Sequence, residues 1–121
     1  MGFVGVVVFV REGIIMYKYT EQALKELIEK MEPVLVVAHT DWCSSCRRIV
    51  PFVQQLEANY KNKVTFVDID ADLVSDKYIQ EFGVDELPAI NMVVNGIICP
   101  PCKTLDTPED INKYIMENLN G

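Results

Sequence analysis

Val34-Leu35-Val36-Val37-Ala38-His39-Thr40-Asp41-Trp42-Cys43-Ser44-Ser45-Cys46 is an apolar, mostly β-branched run that passes through a short polar link into two cysteines separated by two residues. The run from Val34 to Ala38 has the length and branching of a strand buried on both faces, as found inside a parallel sheet. From Cys43 to about Tyr60 the period turns helical, with Ile49, Phe52, Val53 and Leu56 inward, and Pro51 within it predicts a kink. Cys43 is therefore expected at the N-terminus of a helix that leaves a buried strand.

The flanks extend this pattern in both directions. Upstream, Arg11-Glu12-Gly13 is a turn signal and Ile14 to Tyr19 a strand, open to a hairpin with Val6 to Val10. Thr20 can cap a helix to about Met31, with Ala23, Leu24, Leu27, Ile28 and Met31 on one face and Pro33 ending it. Downstream, a strand from Val64 to Ile69 precedes a short helix capped by Asp72, running to about Phe82 and closed by a left-handed Gly83. Pro88 opens the last sheet region, where Ala89 to Val94 and Ile97 onward flank Asn95-Gly96, a strong type I′ hairpin signal. Thr107-Pro108-Glu109-Asp110 starts a final helix with Ile111, Tyr114, Ile115 and Leu119 as its buried stripe. The order is βαβαβαββα, an α/β unit with room for an extra N-terminal strand.

A chain of 121 residues is expected to form one domain over 1–121, with 1–13 as an N-terminal extension, because two cores would each bury too little apolar surface. The formal charge of −7 repels phosphate backbones and anionic lipid, so neither nucleic acid nor a membrane is an expected partner. Phe3 to Val10 is too short to span a bilayer and lacks a basic n-region and an Ala-x-Ala site. It reads as structural, and the expected location is cytoplasmic. Met1-Gly2 resembles a myristoylation start, but Val6 stands where Ser or Thr is needed.

The chemistry sits in Cys43 and Cys46. Orphan N–H groups and the dipole at a helix start stabilise an anion, so Cys43 is the candidate nucleophile. Cys46, one turn on, lies within bridging distance as the resolving thiol. A permanent bridge would close so short a loop that it removes little unfolded-state entropy; a zinc pair is the other alternative. Arg47 and Arg48 add positive charge beside the pair, although solvated surface arginines read the same way.

The pair Trp42-Cys43-x-x-Cys46-Arg47 after an apolar strand, Pro51 in the helix, and Pro88 before the last hairpin resemble the thioredoxin family over roughly Ile14 to Leu119. The resemblance implies a thioredoxin fold, a central mixed sheet flanked by helices. It implies a cis peptide before Pro88 and makes Trp42, Leu87 and Pro88 substrate-binding residues. It also implies a thiol–disulfide oxidoreductase, without cofactor or metal, acting on protein disulfides as a reductase and restored by a thioredoxin-reductase-type enzyme; a monomer is expected. Three departures qualify this. Ser44-Ser45 replaces the family's usual Gly-Pro; the family's buried aspartate aligns with Val37, and its lysine partner with Phe66. An apolar swap of both avoids an unpaired buried charge. The proton acceptor for Cys46 then falls to His39 with Asp70, as a titrating base or as a structural hydrogen bond in a vacated indole site.

Cys99-Pro100-Pro101-Cys102 has the same spacing but different local physics. Each proline pushes its predecessor toward extended geometry, which as polyproline II would set the two Cα atoms about 9 Å apart, too far for a bridge. Free thiols at a sheet edge are expected, with no assigned role. A shuttle between the two pairs and a shared zinc site are the alternatives. A thioredoxin-fold binding module without turnover, holding zinc or not, competes with the enzyme reading as a whole.

Overall fold

The computed structural model describes residues 6–11 and 14–120. Its elements are β1 (Val6–Arg11), β2 (Ile14–Tyr19), α1 (Glu21–Glu29), β3 (Val34–His39), α2 (Ser44–Asn59), β4 (Thr65–Asp70), α3 (Asp76–Phe82), β5 (Ala89–Val94), β6 (Ile97–Ile98) and α4 (Pro108–Asn120). They build a six-stranded sheet in the order β1-β2-β4-β3-β5-β6. β4 pairs in parallel with β2 and β3, while β1–β2, β3–β5 and β5–β6 are antiparallel. The additional N-terminal strand is thus β1, a hairpin partner of β2. The turn residues Glu12 and Gly13, and Met1 to Gly5 of the leading apolar run, lie outside the described residues.

The continuous apolar runs occupy the middle of the sheet because only there are both strand faces covered. Val34, Val36, Ala38, Val67, Ile69, Ala89 and Val93 face Leu24 of α1 and Tyr78 and Phe82 of α3. Leu35, Val37, Ile90 and Met92 face Ile49, Val53 and Leu56 of α2 and Ile111 and Ile115 of α4. Period-2 alternation therefore assigns each residue of β3, β4 and β5 to one helical layer or the other.

Several local signals operate as read. Thr20 Oγ1 accepts from Ala23 N at 3.1 Å, Gly83 takes φ 63 after α3, and Asn95 and Gly96 both have positive φ, as a type I′ turn requires. Two helix boundaries differ. α1 stops at Glu29, and Met31 turns left-handed at φ 65, two residues before the proline expected to end it. The cap of α3 is Ser75, whose Oγ accepts from Tyr78 N at 3.2 Å. Asp72 is not available for that role, because its backbone is held by Asp70 Oδ1 at 2.9 Å and its carboxylate by Trp42 Nε1 at 2.9 Å.

Candidate active site

Cys43 is the N-cap of α2, its backbone still extended at φ −88, ψ 111. Its Sγ occupies the place of a capping oxygen and accepts from Cys46 N at 3.3 Å. Ser45 Oγ lies at 3.3 Å from the same sulfur. Burial works against ionisation of Cys43, but hydrogen bonds from the Cys46 thiol, from Ser45 Oγ and from the backbone N–H groups of Cys46 and Ser45 outweigh it, and the thiol titrates below its ordinary value. Cys46 is 1% exposed. Burial first, then its hydrogen bond to Cys43 and the charges of Cys43 and Asp68, push its thiol up to about 12, against the backbone N–H of Thr40. The two sulfurs of one helical turn are thus driven in opposite directions.

The loop after α3 closes over this pair. The Leu87–Pro88 peptide is cis, and the Leu87 carbonyl oxygen stands 4.0 Å from Cys43 Sγ and 3.5 Å from Ser45 Oγ. Trp42 is 69% exposed beside the cysteines, anchored through its indole N–H to Asp72. Arg47 donates to the Asp41 carbonyl at 3.1 Å, and Arg48 pairs with Asp106 at 3.7 Å, both in solvent. Both side chains are exposed and engaged with these surface partners.

His39 does not pair with Asp70. Its Nε2 lies against Oδ1 of Asp68, which is 3% exposed. Asp70 is the backbone register partner of His39, but its carboxylate turns to the N–H of Asp72 at the strand end. The imidazole therefore meets the diagonal neighbour on the same face of β4. The β3–β4 register also sets Asp68, not Phe66, opposite Val37. A buried carboxylate is therefore retained at this site, on the neighbouring strand, and the expected loss of all buried charge is corrected. Sequence reasoning missed Asp68 and Ser45; an acid on the inward face of an apolar strand was the available signal for Asp68.

Cys99 and Cys102 lie beyond β5, on the α4 side of the sheet. All four cysteines are free thiols in the structure. Tyr114 of α4 inserts its hydroxyl between β5 and this segment, accepting from Met92 N at 2.9 Å and donating to the Pro100 carbonyl at 2.6 Å. The phenol thus takes the acceptor role that the Cys99 carbonyl would fill in a regular ladder, since that carbonyl accepts from Asn91 Nδ2 at 3.0 Å. A groove of about 510 Å³ runs from Ser45, Leu87 and Pro88 to Pro100, Pro101 and Cys102.

The sequence profile of the family described as Thioredoxin matches residues 15–117. The chain belongs to the thioredoxin family. Thioredoxin X, chloroplastic, of Arabidopsis thaliana is 37% identical over 97 residues, 78% of this chain and 53% of that protein. Thioredoxin-like protein HCF164, chloroplastic, of the same plant is 35% identical over 79 residues, 63% of this chain and 30% of that protein. The chain thus spans about half of the one relative and under a third of the other. Mitochondrial thioredoxin 3 from Saccharomyces cerevisiae, in its oxidized form, superposes with a TM-score of 0.70 at 22% identity, covering 83% of this chain and 92% of that one. The chain has the thioredoxin fold, with the C-x-x-C pair at the family's position, and thiol–disulfide oxidoreduction is the chemistry of this family at its broadest. β1 lies outside the matched span. Among the described residues, no helix is long and apolar enough to cross a membrane.

Proposed function

We propose that this thioredoxin-family chain reduces protein disulfides through Cys43 and Cys46. The observation that carries this is the capping geometry: one sulfur at the helix start receives the N–H of Cys46 at 3.3 Å and contact from Ser45 Oγ, which favours the thiolate that attacks disulfides. The Cys43 thiolate attacks one sulfur of a client disulfide, forming a mixed disulfide and releasing a client thiolate. Cys46 then loses its proton and attacks Cys43 Sγ, which releases the second client thiolate and leaves a Cys43–Cys46 disulfide. Two electrons pass to the client, and an external thioredoxin-reductase-type enzyme returns them.

A thiol pushed up to about 12 does not ionise unaided near neutrality. The His39–Asp68 pair, with Asp68 buried and His39 partly so, on the strand faces that carry Val37 toward α2, is the acceptor we assign to its proton. Leu87 and Pro88 offer an extended backbone edge to the client, and exposed Trp42 an apolar contact beside the reacting sulfur. The chain works as a monomer, without metal or cofactor, in a reducing compartment, for which we propose the cytoplasm. An insulin-reduction assay tests the reading: the wild-type chain turns over, and Cys43→Ser abolishes turnover. Equal rates for the two would instead support a binding module.

A further inference from the structure

The second cysteine pair takes a geometry that polyproline II does not predict. Cys99 N donates to the Met92 carbonyl at 2.9 Å, and Cys102 N to the Ile90 carbonyl at 2.8 Å. Opposite Ile90 a regular ladder continuing the Val93–Ile98 register would place residue 101, so the segment carries one extra residue and bows outward at Pro100 and Pro101. The Tyr114 hydroxyl fills the gap beneath the bow.

Two consequences follow from this bulge. The anchoring carbonyls are two residues apart on β5, so Cys99 and Cys102 are drawn to a spacing of about 6.6 Å, inside the roughly 4.4–6.8 Å that a disulfide spans. Their side chains also share a face, since each stands opposite a β5 residue, Met92 or Ile90, that points to the α2–α4 layer, and both pack against that layer. Each thiol is now turned to a carbonyl: Cys99 Sγ to Ile97 at 4.0 Å and Cys102 Sγ to Thr104 at 3.3 Å. With both side chains on one face the Cβ atoms also stand about 6.6 Å apart, beyond the roughly 3.5–4.5 Å of a disulfide, so closing the bond takes side-chain rotation together with a further inward bend of the Pro100-Pro101 segment. Of the two, Cys102 lines the groove that begins at Ser45 and Leu87.

We propose that Cys99 and Cys102 form a second dithiol–disulfide couple, opening through Cys102 onto the groove beside Cys43 and taking disulfides as its oxidant. Cys102, as thiolate, attacks one sulfur of a disulfide in the groove; a mixed disulfide forms and a thiolate leaves. Cys99, as thiolate, attacks Cys102 Sγ, the Cys99–Cys102 bond closes and the second thiolate leaves. The two protons given up by the cysteines end on the released thiols, and the two electrons on the former disulfide. Burial holds both thiols above their ordinary values, so the couple exchanges more slowly than Cys43 and gains rate as pH rises. The charged groups that act on Cys102 are Asp110 and Glu117 of α4, and the phenol of Tyr114 faces both thiols.

The test uses the full chain carrying Cys43→Ser and Cys46→Ser, equilibrated with glutathione buffers of rising oxidised fraction, alkylated and peptide-mapped. The expected result is concerted loss of both alkylation sites and a Cys99–Cys102 bridge within one chain. Adding Cys99→Ser should trap a glutathione adduct on Cys102, whereas adding Cys102→Ser should leave Cys99 free. Both thiols alkylated at every ratio, a stable adduct on the parent variant, bridges only between chains, or an adduct on Cys99 but not Cys102 would each overturn the proposal. The variant lacks Cys43, so this outcome is independent of insulin reduction, and either reading can fail alone.

Discussion

Replacing Tyr114 with Phe removes one oxygen and leaves the ring. That oxygen accepts from Met92 N at 2.9 Å and donates to the Pro100 carbonyl at 2.6 Å. The two partners respond differently. Pro100 is exposed, so water replaces the phenol at its carbonyl. Met92 is 0% exposed, its N–H faces the gap beneath the proline bow, and the carbonyl of Cys99, its ladder partner, accepts from Asn91 Nδ2 at 3.0 Å instead. A buried donor left unpaired costs about 1–3 kcal/mol. With an unfolding entropy of about 2.1 cal/mol/K per residue, a loss of about 2 kcal/mol from 121 residues lowers Tm by about 8 °C. Scanning calorimetry of the two proteins in the reduced state measures this directly. Insulin reduction should persist, since the phenol lies outside the Cys43 site. A Tm drop below about 2 °C would mean that the bow relaxes to close its own ladder, and the brace assigned to Tyr114 would be wrong.

Other outcomes follow from the same structure. A limiting alkylating agent near neutral pH should modify Cys43 and spare Cys46, by peptide mapping; equal labelling contradicts the opposed shifts of the two thiols. Asp68→Asn should slow disulfide exchange near neutral pH by about 10-fold or more and change its dependence on pH, with circular dichroism confirming the fold; an unchanged rate–pH profile removes the His39–Asp68 pair from proton transfer. The unfolded chain gives up the Cys46 proton near 9.0 and the folded chain holds it to about 12. This contribution to stability is full below the lower value and is lost as pH rises through the window, so urea midpoints measured across it should fall less steeply for Cys46→Ala. Gly83→Ala places a side chain at φ 63 and should cost about 1 kcal/mol, read from the urea midpoint at constant m-value.

The starts of α1, α2 and α4, the Asn95-Gly96 turn, the buried strand Val34 to Ala38 and the position of Cys43 were readable from the chain, because each rests on contacts within a few residues or on a simple period. Thr20 caps its helix through Ala23, three residues away, and Cys43 caps α2 through Cys46 in the same way. The errors arise where a partner lies far along the chain. Asp72 looked like a cap until the Trp42 indole, 30 residues earlier, claimed its carboxylate. His39 was matched to Asp70 because the two are level in the register, yet side chains also reach diagonally, and Asp70 had a nearer partner in the turn that follows it. Proline preferences predicted an extended Cys99–Cys102 segment, but these local preferences yield to a phenol delivered by α4 and to two ladder bonds from β5. The sequence alone decided which thiol begins a helix; the packing of α4 and the strand register decided which groups surround it and how the segment carrying the other two thiols is anchored.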